Sequence, residues 1–436
     1  MGTNYFKEFL KYGSLNVMGM IGLSCYILAD TFFISKGLGA TGLTALNLAI
    51  PIYSIIHGCG LMLGMGGAIK YTVFKSQGND NAGNHVFTNT LYLAGLLSVF
   101  FFSLGLFLSN RLTTLVGADP QVFHMTQIYL KIILLFSPAF ILNNILICFV
   151  RNDGNPQRSM AAMLGGSLSN ILLDYIFIFP LRMGMFGAVF ATGLAPIISM
   201  IILCPYFVKK RNGFIPKRTP FSMKISGNIF ALGLSNFITE LSSGIVILVF
   251  NYIILEIEGN IGIAAYGVIA NLSLVVLSIF TGLSQGMQPL ISNAYGRGEG
   301  GAVTKVLRYG LYSMAIIAIM LYIAVLLLAE PLAQIFNSEN HTQLQQIAVL
   351  GLRIYFTGIV FAGYNILLAT YFTSTEKPFP AQFITLSRGL IFIVPLAFLL
   401  STWLKMTGIW LTFPVTEGIV AVMAFVTYKN IKHRKK

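Results

Sequence analysis

The sequence predicts an all-α integral membrane protein, with twelve transmembrane helices in two six-helix pseudo-symmetric lobes. Three observations carry that prediction. Of 436 residues, 56% are hydrophobic and 10% charged, whereas a soluble domain carries roughly a quarter charged. Long apolar runs such as 91–108 and 312–329 show no period-2 alternation. A chain inside a bilayer must satisfy its own backbone hydrogen bonds, which leaves helices or closed barrels, and a barrel strand would alternate. Finally, the two halves resemble each other at an offset of about 220 residues, the mark of an internal repeat.

In chain order the spans fall at 13–35, 44–72, 86–109, 126–150, 159–180 and 184–208, then 227–255, 262–291, 305–329, 345–373, 379–402 and 407–428. Each can cross the hydrocarbon at about 20 residues or more. Spans 1–6 form an N-lobe (1–208), the segment 209–226 a basic linker, and spans 7–12 with a basic tail a C-lobe (227–436). The linker holds six Lys and Arg among Pro205, Pro216 and Pro220.

The net charge of +14 would suggest nucleic acid in a soluble protein. Here 21 of the 28 Lys and Arg sit in the termini, in the loops after spans 2, 4, 6, 8 and 10, or at the span ends within a turn of those loops, Arg151 among them. The opposite loops hold Lys36, Arg111, Arg182 and Lys405. The positive-inside rule then places both termini in the cytoplasm. No basic cluster interleaved with aromatics suits a nucleic-acid strand, so the expected partner of this surface is the lipid bilayer. Cys25, Cys59, Cys148 and Cys204 lie in apolar stretches without metal or redox spacing. The first span is expected to be retained as an anchor, since no cleavage motif follows a basic-then-apolar segment.

The repeat is read from individually weak matches. Gly13-Ser14-Leu15-Asn16 faces Gly233-Leu234-Ser235-Asn236, Gly42 and Ala45 face Gly262 and Ala265, and Pro156 and Gly187 match Pro378 and Gly408. Six spans is an even number, so both copies enter from one side. A two-fold along the membrane normal, with a cavity between the lobes, is the transporter arrangement this predicts.

A carboxylate inside a span costs at least about 2.5 kcal/mol, so Asp30, Asp174, Glu240 and Glu417 each need an explanation. Asp30 and Asp174 lie on spans running the same way, roughly 8–9 Å below the outer edge. Thr192 lies roughly 12 Å below it, and Asn170 shares a helix face with Asp174. Together they offer oxygen ligands for a possible Na⁺, or two carboxylates holding one proton. The plainer account is a pair of interfacial groups hydrated from outside. Glu240, near the middle of span 7, pairs with a cationic substrate, carries a proton, or bonds a neighbouring helix. Glu417 and Arg388 share a depth and read as a structural ion pair. His57 reads as a helix–helix hydrogen bond, although it could titrate near neutral pH. Met62 and Met65 pack, and would also suit a promiscuous cavity. Pro51, Pro138, Pro196, Pro289 and Pro414 can bend their helices.

The sequence resembles, over nearly its whole length, the multidrug and toxic compound extrusion (MATE) family. The likeness is to the bacterial branch of DinF-like and MepA-like exporters. The residues that carry it are Ala29-Asp30-Thr31, the stretch 37–51, Arg151-Asn152-Asp153-Gly154-Asn155-Pro156, Asn170 to Asp174, 187–192, and Gln285-Gly286-Met287-Gln288-Pro289. The resemblance implies an antiporter of the bacterial inner membrane whose N-lobe cation or proton site matches Asp30, Asn170, Asp174 and Thr192. The NorM-like branch carries an acid on span 10, and this chain has none around Gly363-Tyr364-Asn365.

The function expected is a secondary active multidrug efflux antiporter, exporting cationic lipophilic small molecules in exchange for Na⁺ or H⁺. It would work as a monomer with no cofactor beyond the coupling ion, its substrate cavity drawing on Glu240, Met62, Met65 and Gln285. The rivals are a lipid-linked oligosaccharide flippase, which should need several cavity arginines, and a membrane-embedded enzyme. No HExxH, nucleotide loop or Ser/His/Asp arrangement supports the latter.

Overall fold

A computed structural model describes residues 4–337 and 341–433, and among these every regular element is helical. The helix Tyr5–Ser76 has 72 residues, roughly 110 Å if straight, far more than a bilayer of about 30 Å. It is two spans. At Gly39 the backbone adopts φ 68° and ψ −161°, a conformation open to glycine. The chain then doubles back, so that the hydroxyls of Tyr26 and Tyr53 meet at 2.8 Å. Met223–Gly296 repeats the device at Gly259 (φ 62°), and Ile393–His433 repeats it at Lys405 (φ 50°). Asp80–Phe107, Pro156–Ile178, Gly184–Val208 and Gly300–Phe336 are single spans. Span 4 bends by 49° between Phe123–Leu135 and Ser137–Asn152, where Pro138 cannot continue the helix. Span 10 joins Thr342–Tyr355 to Ile359–Ser374 through a single 3₁₀ turn. Span 11 passes from Pro378–Leu386 through a π-turn at Ser387–Ile391. Counting each doubled helix as two spans gives twelve. The last basic residues of the tail lie outside the described residues.

Each lobe has its own apolar core. One gathers Ile56, Leu63, Phe87, Phe149 and Leu203, the other Phe280, Leu307, Phe356, Phe372 and Trp410. The exchange at their edges follows the repeat. Phe9, from the first turns of span 1, packs into the second core, and Ile229, 220 positions later, packs into the first. Large apolar side chains such as Leu96, Phe107, Ile316 and Leu327 project outward from spans 3 and 9, the surface a lipid tail would cover.

The segment 209–222 is not a loose tether. Its N–H groups at Ile215, Lys217 and Ser222 donate to Asn84 Oδ1 (2.8 Å), Thr88 Oγ1 (3.0 Å) and Asn89 Oδ1 (2.8 Å) on span 3. Those three side chains are buried polar groups, and the linker segment they hold satisfies them.

The lobes touch at the end that carries the basic loops. Gly66 on span 2 lies against the Ile229 carbonyl and Gly233 on span 7, and Gly233 against the Met62 carbonyl. Gly286 on span 8 lies against Tyr12 and Gly13 on span 1. Gly13 and Gly233, like Gly66 and Gly286, are 220 residues apart, so these are two copies of one helix crossing. The amides of Asn152 and Gln288 exchange hydrogen bonds of 3.0 and 2.9 Å across the seam. Lys70 pairs with Glu376 at 2.5 Å, and the Tyr5 hydroxyl donates to Glu299.

Candidate coupling site and central cavity

The loop before span 5 sets the register of the N-lobe. Gly154 takes φ 93°, Asn155 caps the helix by accepting from the Arg158 N–H at 3.2 Å, and Pro156 fills the first turn, where its missing N–H costs nothing. Asp153 accepts from Tyr71 and Tyr206 (both 2.6 Å), the Gly213 N–H (2.6 Å) and Lys75. One buried carboxylate therefore ties spans 2, 4 and 6 to the linker.

Span 5, so fixed, brings Asn170 and Asp174 against span 1 and span 6. The Asp30 and Asp174 carboxyl groups are in hydrogen-bonding contact, with 7% and 0% of their surfaces exposed. That burial argues against hydration from outside. In each, Oδ1 is buried and accepts no hydrogen bond. Two ionised carboxylates cannot share such a site without a proton or a cation between them. With its nitrogen turned to Asp174, the Asn170 amide donates at 3.1 Å and its oxygen accepts from the Thr192 N–H at 3.3 Å. Turned the other way, its nitrogen lies 3.5 Å from the Thr192 hydroxyl and its oxygen faces the carboxylate. All four residues named from the sequence meet. A fifth was missed: Tyr129 on span 4 bonds Thr192 and lies within electrostatic reach of both aspartates. Its depth, roughly 5 Å inside span 4, gave the signal, but a tyrosine in a span raises no question that a carboxylate does.

Beside this site a cavity opens between the lobes. It encloses about 850 Å³, the part open to solvent included, and is lined by Tyr26, Tyr53, His57, Phe140, Glu240 and Gln285 among others. Two of the four cavity residues expected from the sequence, Glu240 and Gln285, are on its wall. Met62 and Met65 are not: Met62 backs Gly233, and Met65 accepts a hydrogen bond from Arg151 at 3.0 Å, so close helix approach takes them into the seam. His57, expected to bond a neighbouring helix, faces Glu240 of the other lobe, with Nδ1 and Oε2 3.6 Å apart.

Arg151 also corrects the sequence reading. Counted there among loop charges, it is 1% exposed. Its guanidinium donates to Asn16 and Gln285 (both 2.9 Å), one from each lobe. In the C-lobe, Arg388 makes a two-pronged pair with Glu417 (2.5 and 3.0 Å), and the Asn365 amide donates to the same carboxylate at 2.7 Å.

Comparison with known proteins places the chain beside membrane transporters. Multidrug export protein MepA of Staphylococcus haemolyticus (strain JCSC1435) is 24% identical over 434 residues, covering 99% of this chain and 95% of its own. The protein of that name from Staphylococcus aureus (strain MRSA252) is 23% identical over 431 residues, covering 98% and 94%. Among solved structures, an outward-facing MATE family transporter of the MOP superfamily superposes with a TM-score of 0.92 at 22% identity, over 98% of this chain and 96% of that one. A MOP superfamily transporter from Pyrococcus furiosus gives 0.91 at 23%, over 99% and 96%. The MatE profile matches residues 17–176 and again 232–399, one copy in each lobe. On that double match the chain belongs to the MatE family and is a MATE membrane transporter.

Proposed function

We propose that the protein is a multidrug efflux antiporter of the bacterial cell membrane, exporting lipophilic organic cations in exchange for Na⁺ or H⁺. It acts as a monomer with both termini in the cytoplasm. The observation that carries this reading is the contact of Asp30 with Asp174, each with a buried oxygen left without a partner. A proton or a sodium ion would satisfy both atoms.

The basic end is cytoplasmic on this reading, so the lobes are closed inward and the cavity faces out. An ion entering from outside neutralises the Asp30–Asp174 pair and, bound more tightly in the inward-facing state, favours that state. Cytoplasmic substrate then reloads the cavity, and the ion leaves inward. A flippase for pyrophosphate lipids is disfavoured. Among the residues lining the cavity Arg151 is the one Lys or Arg, and its guanidinium is held by Asn16 and Gln285.

The test is efflux of a fluorescent organic cation in everted vesicles under imposed Na⁺ or H⁺ gradients. Gradient-driven transport should vanish in Asp30→Asn and in Asp174→Asn at normal expression, and the active gradient names the ion. Full transport in both variants discards the site.

A further inference from the structure

Glu240 makes one ion pair among the described residues, and its partner belongs to the opposite lobe. The His57 Nδ1 lies 3.6 Å from Glu240 Oε2, with side chains 13% and 34% exposed. That distance is short enough for charge pairing and too long for a good hydrogen bond, so the contact matters chiefly when the imidazole carries a proton. Both groups line the cavity in which a cationic substrate would sit.

The surroundings leave the pair to itself. On span 2, the Tyr53 ring stacks on His57 (centroids 5.8 Å apart, planes at 18°), and the Tyr53 hydroxyl is bonded to Tyr26 on span 1. On span 4, the Asn144 amide approaches the His57 carbonyl oxygen at 3.5 Å. Arg151, also on span 4, and Gln285 on span 8 are bonded to each other. Among the described residues, Glu240 on span 7 is the only acid on the cavity wall. The imidazole is thus held in place by Tyr53 and faces one carboxylate.

We propose that His57 is a built-in competitor for the cationic substrate: protonated, it occupies Glu240; neutral, it leaves that carboxylate to a lipophilic organic cation. The proposal rests on the cation-export reading and adds to it a proton-linked step on the cavity wall, distinct from Asp30 and Asp174. Two positive charges cannot both be satisfied by one carboxylate in a partly desolvated cavity, so proton and substrate exclude each other there directly.

The test is binding of tetraphenylphosphonium, whose charge does not vary with pH, to the purified full-length protein in nanodiscs between pH 8 and pH 5.5. Wild type, His57→Gln and His57→Lys are each measured alone and with Asp174→Asn, so that proton uptake at the other site cannot imitate the effect. Wild-type affinity should fall by about tenfold on acidification, the scale of one competing proton over that range. His57→Gln should hold its pH 8 affinity to within about twofold, and His57→Lys should bind at pH 8 as weakly as wild type at pH 5.5. Acid weakening that survives in His57→Gln with Asp174→Asn, or a wild type whose affinity ignores pH, overturns the proposal alone. A wild type that fails to bind tetraphenylphosphonium at pH 8 overturns the cation reading with it.

Discussion

Two buried carboxylate sites in this chain solve the same problem in opposite ways. Glu417 is 2% exposed and is met by Arg388 and Asn365, so its charge is neutralised by a fixed cation. Asp30 and Asp174 have no such partner, so theirs must be neutralised by something that comes and goes. Removing one member of a buried pair leaves the other uncompensated, at about 3–5 kcal/mol, whereas removing both is often near neutral. Arg388→Met should therefore lower stability to unfolding by about that amount, while Arg388→Met with Glu417→Met should recover most of it and keep ion-driven export. Denaturant unfolding beside vesicle transport checks both; export lost in the stable double variant would make the pair part of the transport machinery. At this scale the acids were legible because charge in hydrocarbon is expensive at any position. Tyr129 was not, because a tyrosine crosses a bilayer cheaply, and Arg151 was misassigned because a basic residue near a span end looks the same whether it faces water or a neighbouring lobe.

The helices are where sequence and structure agree most closely, since apolar run length is set by bilayer thickness. What sequence missed is how consecutive spans join. Gly39, Gly259 and Lys405 each turn a continuous helical run in a single residue, so the loops expected there have almost no length, and the π-turn beside Arg388 left no mark in composition. The glycine crossings could be found only after the repeat showed which spans meet. A methyl group at Gly233 would overlap the Met62 carbonyl, and one at Gly66 the Ile229 carbonyl. Overpacking of that kind costs about 1–3 kcal/mol, and here it falls only on the state in which the basic end is closed. Gly233→Ala should therefore shift the lobes open at that end by roughly five- to 150-fold. A cysteine introduced by Asn152→Cys, buried in the closed seam, should then label faster with a soluble maleimide added from the cytoplasmic side. Gly227→Ala, where nothing lies within 4 Å, should leave the labelling rate unchanged, and equal rates in the two variants would remove the crossing from the gate.

The whole molecule behaves as two packed bodies sharing a seam. Separate apolar cores, the doubled profile match and the exchange of Phe9 and Ile229 all follow from one duplicated unit. The duplication was legible because Gly and Pro at helix crossings and turns tolerate few replacements; which lobe faces meet was not, because the offset says nothing about distance. If transport proceeds by these bodies rocking about the seam, a bond between them near mid-membrane should stop it. Ser24 on span 1 and Ser278 on span 8 provide the place, with hydroxyls 2.6 Å apart across the lobes. Their β-carbons must then lie within about 5 Å, close to what a disulfide requires. In a protein whose native cysteines are replaced by serine, Ser24→Cys with Ser278→Cys should export normally when reduced. Oxidation should abolish export, and reductant should restore it, with each single variant insensitive to both. Loss of export without loss of substrate binding would place the block at the conformational step and not at the cavity. Undiminished export by the cross-linked form would mean that spans 1 and 8 stay together through the cycle, so that the cytoplasmic opening would have to form by bending within a lobe, span 4 at Pro138 being the helix already bent.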